Sequence, residues 1–286
     1  MTNHANLSRD IVPEYSFCED DFQAISQRIK DIAGIVLPSH KQTMVYSRIV
    51  KRLKDLNLGS FPDYIAFLDG PNGQKEIANF TNSLTTNVTA FFREAHHFEH
   101  LHDIVLPTFS GDGGPKRKVR IWSAACSSGE EPYSLALTIL KSGQPRPGQD
   151  LKILATDLDS KMLEVCQKGQ YPIEVLDAIP PNYGENILLA DADGKHCQVP
   201  MKAKNLISFR RLNLTRPWPF KGPFDVIFCR NVLIYFDMPT KKNIVDRMVN
   251  ILTPGGVLYL GHSESRLGNH PLLTTEGHTI YRKALS

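Results

Sequence analysis

From about residue 115 onward, short apolar runs alternate with amphipathic stretches of helical period, and this rhythm leaves a chain few folds to adopt. KVRIWSA (118–124) precedes a helical pattern over about 130–141, and LKILATD (151–157) precedes one over about 160–169. ISFRRLN (207–213) and FDVIFC (224–229) lead to a third over about 240–252, closed by Pro254-Gly255-Gly256. VLYLGH (257–262) and a final pair of strands near TTEGHTIYRK (274–283) complete the series. Strands alternating with helices at this spacing predict a parallel sheet. Between about 170 and 206 the rhythm breaks into Pro, Gly and Asp turns with short candidate strands such as KHCQVP (195–200). That interval reads as an insertion forming a small antiparallel subdomain.

The first third of the chain has a different texture. Phe22, Ile25, Ile29 and Ile32 recur at three- and four-residue steps, with Gly34 as a stop, and no strand signal interrupts the helical pattern from about 20 to 85. A second helix, roughly His40 to Asn57, carries Met44, Val45, Ile49, Leu53 and Leu56 on one side and Lys41, Arg48, Lys51, Arg52 and Lys54 elsewhere around its circumference. Two shorter helices, about 61–69 and 74–84, flank the turn Gly70-Pro71-Asn72-Gly73. The division expected is a flexible tail over 1–19, a helical domain over 20–85, and an α/β domain over 86–286 that contains the insertion.

Composition narrows the class without naming it. A chain of 286 residues with 41% hydrophobic and 22% charged residues is that of an ordinary globular protein. A net charge of +3 is too small for wholesale nucleic-acid binding. No apolar run approaches the roughly 18 residues of a membrane span, and MTNHANLSRD lacks the regions of a signal peptide, so a cytoplasmic protein with no membrane insertion is expected. Cys18, Cys126, Cys166, Cys197 and Cys229 form no CxxC pair and read as reduced core thiols. The run HHFEHLH (96–102) places His96 and His100 one helical turn apart, but it is not HExxH and no third ligand is evident, so no metal is expected.

In an open parallel sheet, ligands bind beyond the carboxyl ends of the strands. The first strand delivers the loop SAACSSGEE (123–131), with a single glycine, Gly129, and the acids Glu130 and Glu131 at the helix start, where a phosphate would be repelled. The second ends in Asp157, placed to accept hydrogen bonds from a ribose diol. The third ends in Leu212-Asn213-Leu214, where Asn213 could meet a base edge or support the turn, and the fourth in Cys229-Arg230-Asn231 with Tyr235 beyond. A ligand with a ribose, no phosphate and cationic groups fits this set. S-adenosylmethionine is such a ligand, and carboxylates in the first loop would stabilise its cations. Glu131 is the favoured contact, with Glu130 capping or facing solvent.

NVTAFFRE (87–94), SAACSSGEEPYSLA (123–136), ATDLD (155–159), FDVIFCRNVLIYF (224–236) and GHSES (261–265) together resemble the chemotaxis-receptor glutamate methyltransferases, the CheR family. The resemblance spans about 20–283. It implies a Rossmann-like class I S-adenosylmethionine-dependent methyltransferase with an all-α N-terminal domain and an inserted antiparallel β-subdomain. It also implies that Asn87, Thr89 and Arg93 close over the cofactor, and that Ala125, Glu131, Asp157, Asn213, Leu214, Arg230 and Asn231 complete the pocket. Arg230 and Tyr235 would flank the methyl, and Arg93, Arg230 and Tyr235 would act in catalysis, the two arginines by positioning and charge balance.

The product would be S-adenosylhomocysteine, and the substrate a glutamate on the cytoplasmic helices of a methyl-accepting chemoreceptor. Lys41, Arg48, Lys51 and Arg52 would dock that acidic coiled coil, and the β-subdomain could hold a receptor C-terminal peptide, as in part of the family. A glutamate, with an ordinary pKa near 4.3, is already ionised at neutral pH, which suits a chain with no obvious catalytic base. Two alternatives compete. A nucleic-acid methyltransferase would favour an Asn/Asp-Pro-Pro-aromatic motif where this chain has Arg230-Asn231-Val232-Leu233. A non-catalytic receptor-binding module that senses the cofactor is the other; the intact Arg93, Asp157, Arg230 and Tyr235 argue against it.

Overall fold

The computed structural model describes residues 14–109, 118–183, 188–192 and 194–285; of the expected tail, residues 1–13 lie outside the described residues. Helix α1 (Glu19–Ala33) buries Phe22, Ile25 and Ile29, and Gly34 closes it at φ 75° by donating its N–H to the Lys30 carbonyl. That position also requires a missing side chain, since a Cβ there would stand 2.5 Å from Thr215 Cγ2. A 3-10 turn (Ser39–Lys41) leads into α2 (Gln42–Leu56), so the second helix starts later than its composition suggests. Helices α3 (Phe61–Asp69) and α4 (Gly73–Leu84) follow; Ser60 caps α3 by accepting from the Asp63 N–H. Ahead of α1, Phe17 packs 4.5 Å from the Phe61 ring and Glu14 pairs with Lys54, so the end of the expected tail is built onto the helices.

After the connecting segment, α5 (His96–His100) runs through a π-helical turn (Leu101–Val105) into α6 (Leu106–Thr108). Strand β1 (Lys118–Ala124), α7 (Glu130–Lys141), β2 (Asp150–Asp157) and α8 (Ser160–Lys168) realise the first α/β repeats. Strands β3 (Gln170–Pro172), β4 (Leu189–Ala190) and β5 (His196–Gln198) then form a separate antiparallel sheet in the order β3-β5-β4, within the span read as an insertion. After α9 (Met201–Lys204) come β6 (Ile207–Arg211), β7 (Phe224–Cys229), α10 (Met238–Ile251), β8 (Leu252–Leu260), β9 (Leu273–Gly277) and β10 (Ile280–Lys283).

The main sheet has the order β6-β2-β1-β7-β8-β10-β9. It is parallel from β6 to β8 and turns antiparallel at β10 and β9. Strand order reverses between β1 and β7, where Ala124 and Cys229 are register partners. A crevice beyond those two ends is the position this topology offers a ligand.

Side chains alternate across β1 with period two. Trp122 and Ala124 join α1–α4 and α10 in one apolar cluster, while Val119 and Ile121 join α5, α6 and α7 in another. Each large side chain fully buried in this way contributes about 1.5–3 kcal/mol. The helices α1–α4 therefore close their core against the sheet itself. Polar ties reinforce the junction: Asn213 Nδ2 donates to the Ile32 carbonyl (2.8 Å), and the Val36 N–H to the Tyr235 carbonyl (2.8 Å). The only correction among the cysteines is Cys18, which is exposed; the other four are buried and free.

Candidate active site

A cavity of about 420 Å³ opens beyond the ends of β1, β2 and β7, roofed by the α1–α2 connection and by residues 84–89. Its inner wall is the loop after β1. Ala125 (φ 61°), Ser127 (φ 50°) and Gly129 (φ 103°) all take left-handed backbone conformations, which coil the loop tightly into α7. Gly129 is needed for its backbone and for what lies behind it. A Cβ there would meet Tyr171 Oη at 2.7 Å and Cys166 Sγ at 2.9 Å, so its smallness serves packing behind the loop rather than close approach of the ligand.

Asp157 anchors this loop. Its Oδ2 accepts from the Ser127 N–H (2.7 Å) and its Oδ1 from the Asp159 N–H (2.8 Å). Burial pushes the carboxyl up to about 6, against the opposing pull of those two N–H groups. Asp159 does parallel work two residues on: its Oδ1 caps α8 and its Oδ2 accepts from Asn87 Nδ2 (2.9 Å) and Thr85 Oγ1 (2.8 Å). Ser127 Oγ in turn donates to the Asn87 carbonyl (2.9 Å). The connecting segment is thus stitched onto the first two strand ends.

The two acids at the start of α7 diverge. Glu131 faces the cavity, with Oε1 accepting from Ser123 Oγ (2.7 Å) and Oε2 from Arg230 Nε (2.9 Å). Glu130 does not line the cavity. Its Oε2 accepts from Ser128 Oγ (2.7 Å), and burial holds its carboxyl above the usual range.

The two arginines also diverge, and composition did not reveal it. The Arg230 side chain is 2% exposed, and each of its nitrogens is engaged: Nε with Glu131, Nη1 with His97 Nδ1 (2.8 Å), Nη2 with the Arg93 carbonyl (2.7 Å). The rings of Phe98 and Phe228 lie 5.4 and 5.8 Å from its guanidinium carbon. Arg93 lines the cavity between two left-handed residues, Phe92 (φ 52°) and Glu94 (φ 57°), with Nη1 donating to the Val88 carbonyl (3.0 Å). Thr89, Leu214 and Tyr235 also line the cavity. Asn231 (φ 57°) also lines the cavity, and Glu264 of GHSES explains why its loop is rigid: Oε2 accepts from the Asn231 and Gly261 N–H groups (3.0 and 2.7 Å) and Oε1 from the Leu233 N–H (2.7 Å).

Some expected contacts are spent elsewhere. Asn213 lines the cavity, but its Oδ1 accepts from the Thr215 N–H and Oγ1 and its Nδ2 reaches Ile32, so its side chain supports the turn and not a base edge. Arg48 donates to the carbonyls of Ser83 (3.3 Å) and Thr85 (2.6 Å) at the end of α4. Arg52 holds Glu76 through two bonds (2.7 and 2.9 Å) and Asp55 through a third (2.6 Å). Both arginines are framework residues, because unpaired carbonyls at a helix end and a buried carboxylate demand donors. Lys51 remains exposed, and Lys41 lines the cavity mouth. Phe91 and Phe92 are core, against Tyr171 (5.0 Å) and Tyr183 (4.4 Å). Among the described residues no His/Cys/Asp/Glu group could hold a metal, and no helix is long and apolar enough to cross a membrane.

A switch-point cavity lined by two buried carboxylates, one of them at the end of the second strand for a diol, defines a nucleoside-binding transferase of the S-adenosylmethionine type. The buried, backbone-anchored Asp157 and the cavity-facing Glu131 fit that cofactor's ribose and cationic groups. Comparison with known proteins agrees. The family model described as "CheR methyltransferase, SAM binding domain" matches residues 87–281, and "CheR methyltransferase, all-alpha domain" matches residues 20–85. The chain belongs to the CheR methyltransferase family, and it is an S-adenosylmethionine-dependent enzyme. It is 39% identical over 275 residues to "Chemotaxis protein methyltransferase 2" of Pseudomonas aeruginosa, covering 95% of each chain. It is 44% identical over 253 residues to the "Probable chemotaxis protein methyltransferase" of Rhizobium etli (87% of this chain, 94% of that one). To the "Chemotaxis protein methyltransferase" of Escherichia coli it is 42% identical over 264 residues (91% and 89%).

Proposed function

We propose that this enzyme transfers a methyl group from S-adenosylmethionine to glutamate side chains on the cytoplasmic helices of chemoreceptors, giving glutamate methyl esters and S-adenosylhomocysteine. The observation that carries this reading is the distribution of charge in the cavity. Glu131 and Asp157 are buried on its inner wall beside Arg230, whose nitrogens are all bonded within the protein, whereas Arg93 and Lys41 line it with more of their surface in solvent. A cationic cofactor suits the first pair and a carboxylate nucleophile the second. The names of the relatives, chemotaxis protein methyltransferases, support the receptor as substrate.

The cofactor supplies an electrophilic methyl group on a sulfonium. A glutamate carboxylate is ionised at neutral pH, so the chain must align it and exclude water without removing a proton. Asp157 accepts from the ribose hydroxyls, and Glu131 offsets positive charge on the cofactor. Arg93, aided by Lys41, holds a carboxylate through one oxygen, leaving the other to attack in line as the carbon–sulfur bond breaks and sulfur keeps the electron pair. Tyr235, also on the cavity wall, orients the reactants. Arg230 balances charge and holds the frame. Asn87, Thr89, Ala125, Leu214 and Asn231 shape the cofactor pocket, and Lys41 and Lys51 draw in an acidic coiled coil. The exposed edge of β4 offers main-chain pairing to a receptor C-terminal peptide. The protein acts in the cytoplasm, where those receptor helices lie.

The test is to supply methyl-labelled cofactor and chemoreceptor-containing membranes to the purified protein. Label in the receptor that is released as methanol by mild base supports a carboxyl ester; base-stable label in the receptor would refute the glutamate assignment.

A further inference from the structure

The histidine run after FFRE contains one residue that methyl transfer leaves without a role. His97 is fully buried and does not line the cavity, yet it touches Arg230 directly. We infer that His97 is a positioning residue, whose imidazole Nδ1 fixes the Arg230 guanidinium in the one orientation that joins Glu131 to the Arg93 main chain. The inference rests on the reading of Glu131, Arg93 and Arg230 as parts of the transfer site.

The hydrogen-bond network determines the tautomer. Thr279 Oγ1 donates its proton to the His278 carbonyl (2.6 Å), so toward His97 Nε2, 3.0 Å away, it can only accept. Nε2 therefore carries the imidazole proton and Nδ1 the lone pair, which accepts from Arg230 Nη1 at 2.8 Å. Burial, with the Arg230 charge adding to it, lowers the imidazole to about 2, so it stays neutral at any working pH. A protonated ring or the other tautomer would set N–H against N–H, and a flipped ring would offer Arg230 a C–H.

A competitor stands beside this contact. Glu94 Oε2 is buried, has no hydrogen-bond partner among the described residues, and lies 3.8 Å from Arg230 Nη1 and 3.5 Å from His97 Nδ1. Its other oxygen accepts from Asn231 Nδ2 at 3.2 Å. A guanidinium released from His97 would swing its Nη1 the rest of the way toward this carboxylate, because a buried carboxylate oxygen that lacks a hydrogen bond attracts the nearest charged donor. The swing would carry Nε away from Glu131 Oε2 and Nη2 away from the Arg93 carbonyl. Phe92 and Glu94, both left-handed, form the strained turn that presents this carbonyl inward and the Arg93 side chain to the cavity. His97 thus acts at second hand on both ligand-facing groups.

Two near-isosteres separate this role from simple packing. In His97→Asn the amide oxygen stands near the position of Nδ1 and can accept from Arg230; in His97→Gln the amide nitrogen stands near Nε2 and keeps Thr279 but not Arg230. The measurements are methyl-transfer kcat and KM, S-adenosylhomocysteine affinity by calorimetry, and unfolding temperature. His97→Asn should retain kcat within about threefold, whereas His97→Gln should lose about 10- to 100-fold in kcat and weaken S-adenosylhomocysteine about fivefold. Adding Glu94→Gln to His97→Gln removes the competing charge and should recover most of the lost kcat. Equal kcat and equal affinity in the Asn and Gln variants, with both tracking the loss of unfolding temperature, would overturn the inference. If the wild-type protein transfers no methyl to receptor, the proposed function fails, while the calorimetric difference between the two variants still decides the role of His97.

Discussion

The framework around Arg230 and the cavity wall around Arg93 make an instructive pair. Both present an arginine from a short motif, and both were read from sequence as catalytic residues that position and balance charge. Arg230 is buried with every nitrogen bonded to a group of the same chain. Arg93 is partly exposed, with one bond, to the Val88 carbonyl, and stands on a strained turn. The first is satisfied before any ligand arrives; the second has donors left to offer. For these two arginines, burial and internal bonding separate the charge that holds the site from the one that works in it.

The largest effect should come from the framework. Arg230→Ala leaves Glu131 and Glu94 as buried carboxylates without their cation and is expected to lower methyl transfer by at least about 100-fold. Arg93→Ala should lower kcat/KM by a similar factor in the same labelled-methyl assay, through loss of a ligand contact alone. If Arg93→Lys restored full activity, a point charge would suffice and the guanidinium geometry would be irrelevant. Asp157→Ala comes next. It removes the diol acceptor and the anchor for the Ser127 and Asp159 N–H groups, so S-adenosylhomocysteine should bind about 10- to 100-fold more weakly by calorimetry.

The same residue gives the cavity a pH dependence. Its carboxyl is raised to about 6, so the ligand-free protein holds the proton below that pH and loses it above. The stability contributed by this raised group is present at low pH and declines as pH rises through about 6, whereas diol binding needs the ionised form. Cofactor affinity should thus fall by up to about tenfold per pH unit below 6, and this slope should be absent in Asp157→Ala.

The smallest effects belong to α2. Lys41→Ala and Lys51→Ala should raise receptor KM a few-fold, more at low salt than at high salt. Arg48→Ala and Arg52→Ala should instead lower the unfolding temperature, since their donors are used within the protein. A larger KM effect from these arginines than from the lysines would reverse the assignment.

What was legible in the sequence follows the same line. The bounds of β1, β7 and α7 could be read from apolar runs and helical periodicity, because strands buried on both faces leave few polar residues to confuse the pattern. The polar strand ends Glu131, Asp157 and Arg230 could be read because topology alone sends them to one crevice. Residues that act through distant partners could not. Nothing local says that Arg52 meets Glu76 rather than solvent, that Asn213 reaches back to Ile32, or that His97 in HHFEHLH is the buried member of its run. Their roles depend on contacts between segments far apart in the chain, where single-sequence periodicity carries no signal. Asp159 lay in plain view beside Asp157, yet its hold on Asn87 and Thr85 needed the packed connection to appear.

Thermal unfolding of the ligand-free Arg230→Ala and Arg93→Ala variants tests this division of roles most directly. Breaking the buried Arg230 network should cost on the order of 3–5 kcal/mol and lower the unfolding temperature by several degrees, while Arg93→Ala should stay within about 0.5 kcal/mol of wild type. Equal destabilisation of the two variants, or a larger loss in Arg93→Ala, would contradict the separation of framework from ligand-facing charge.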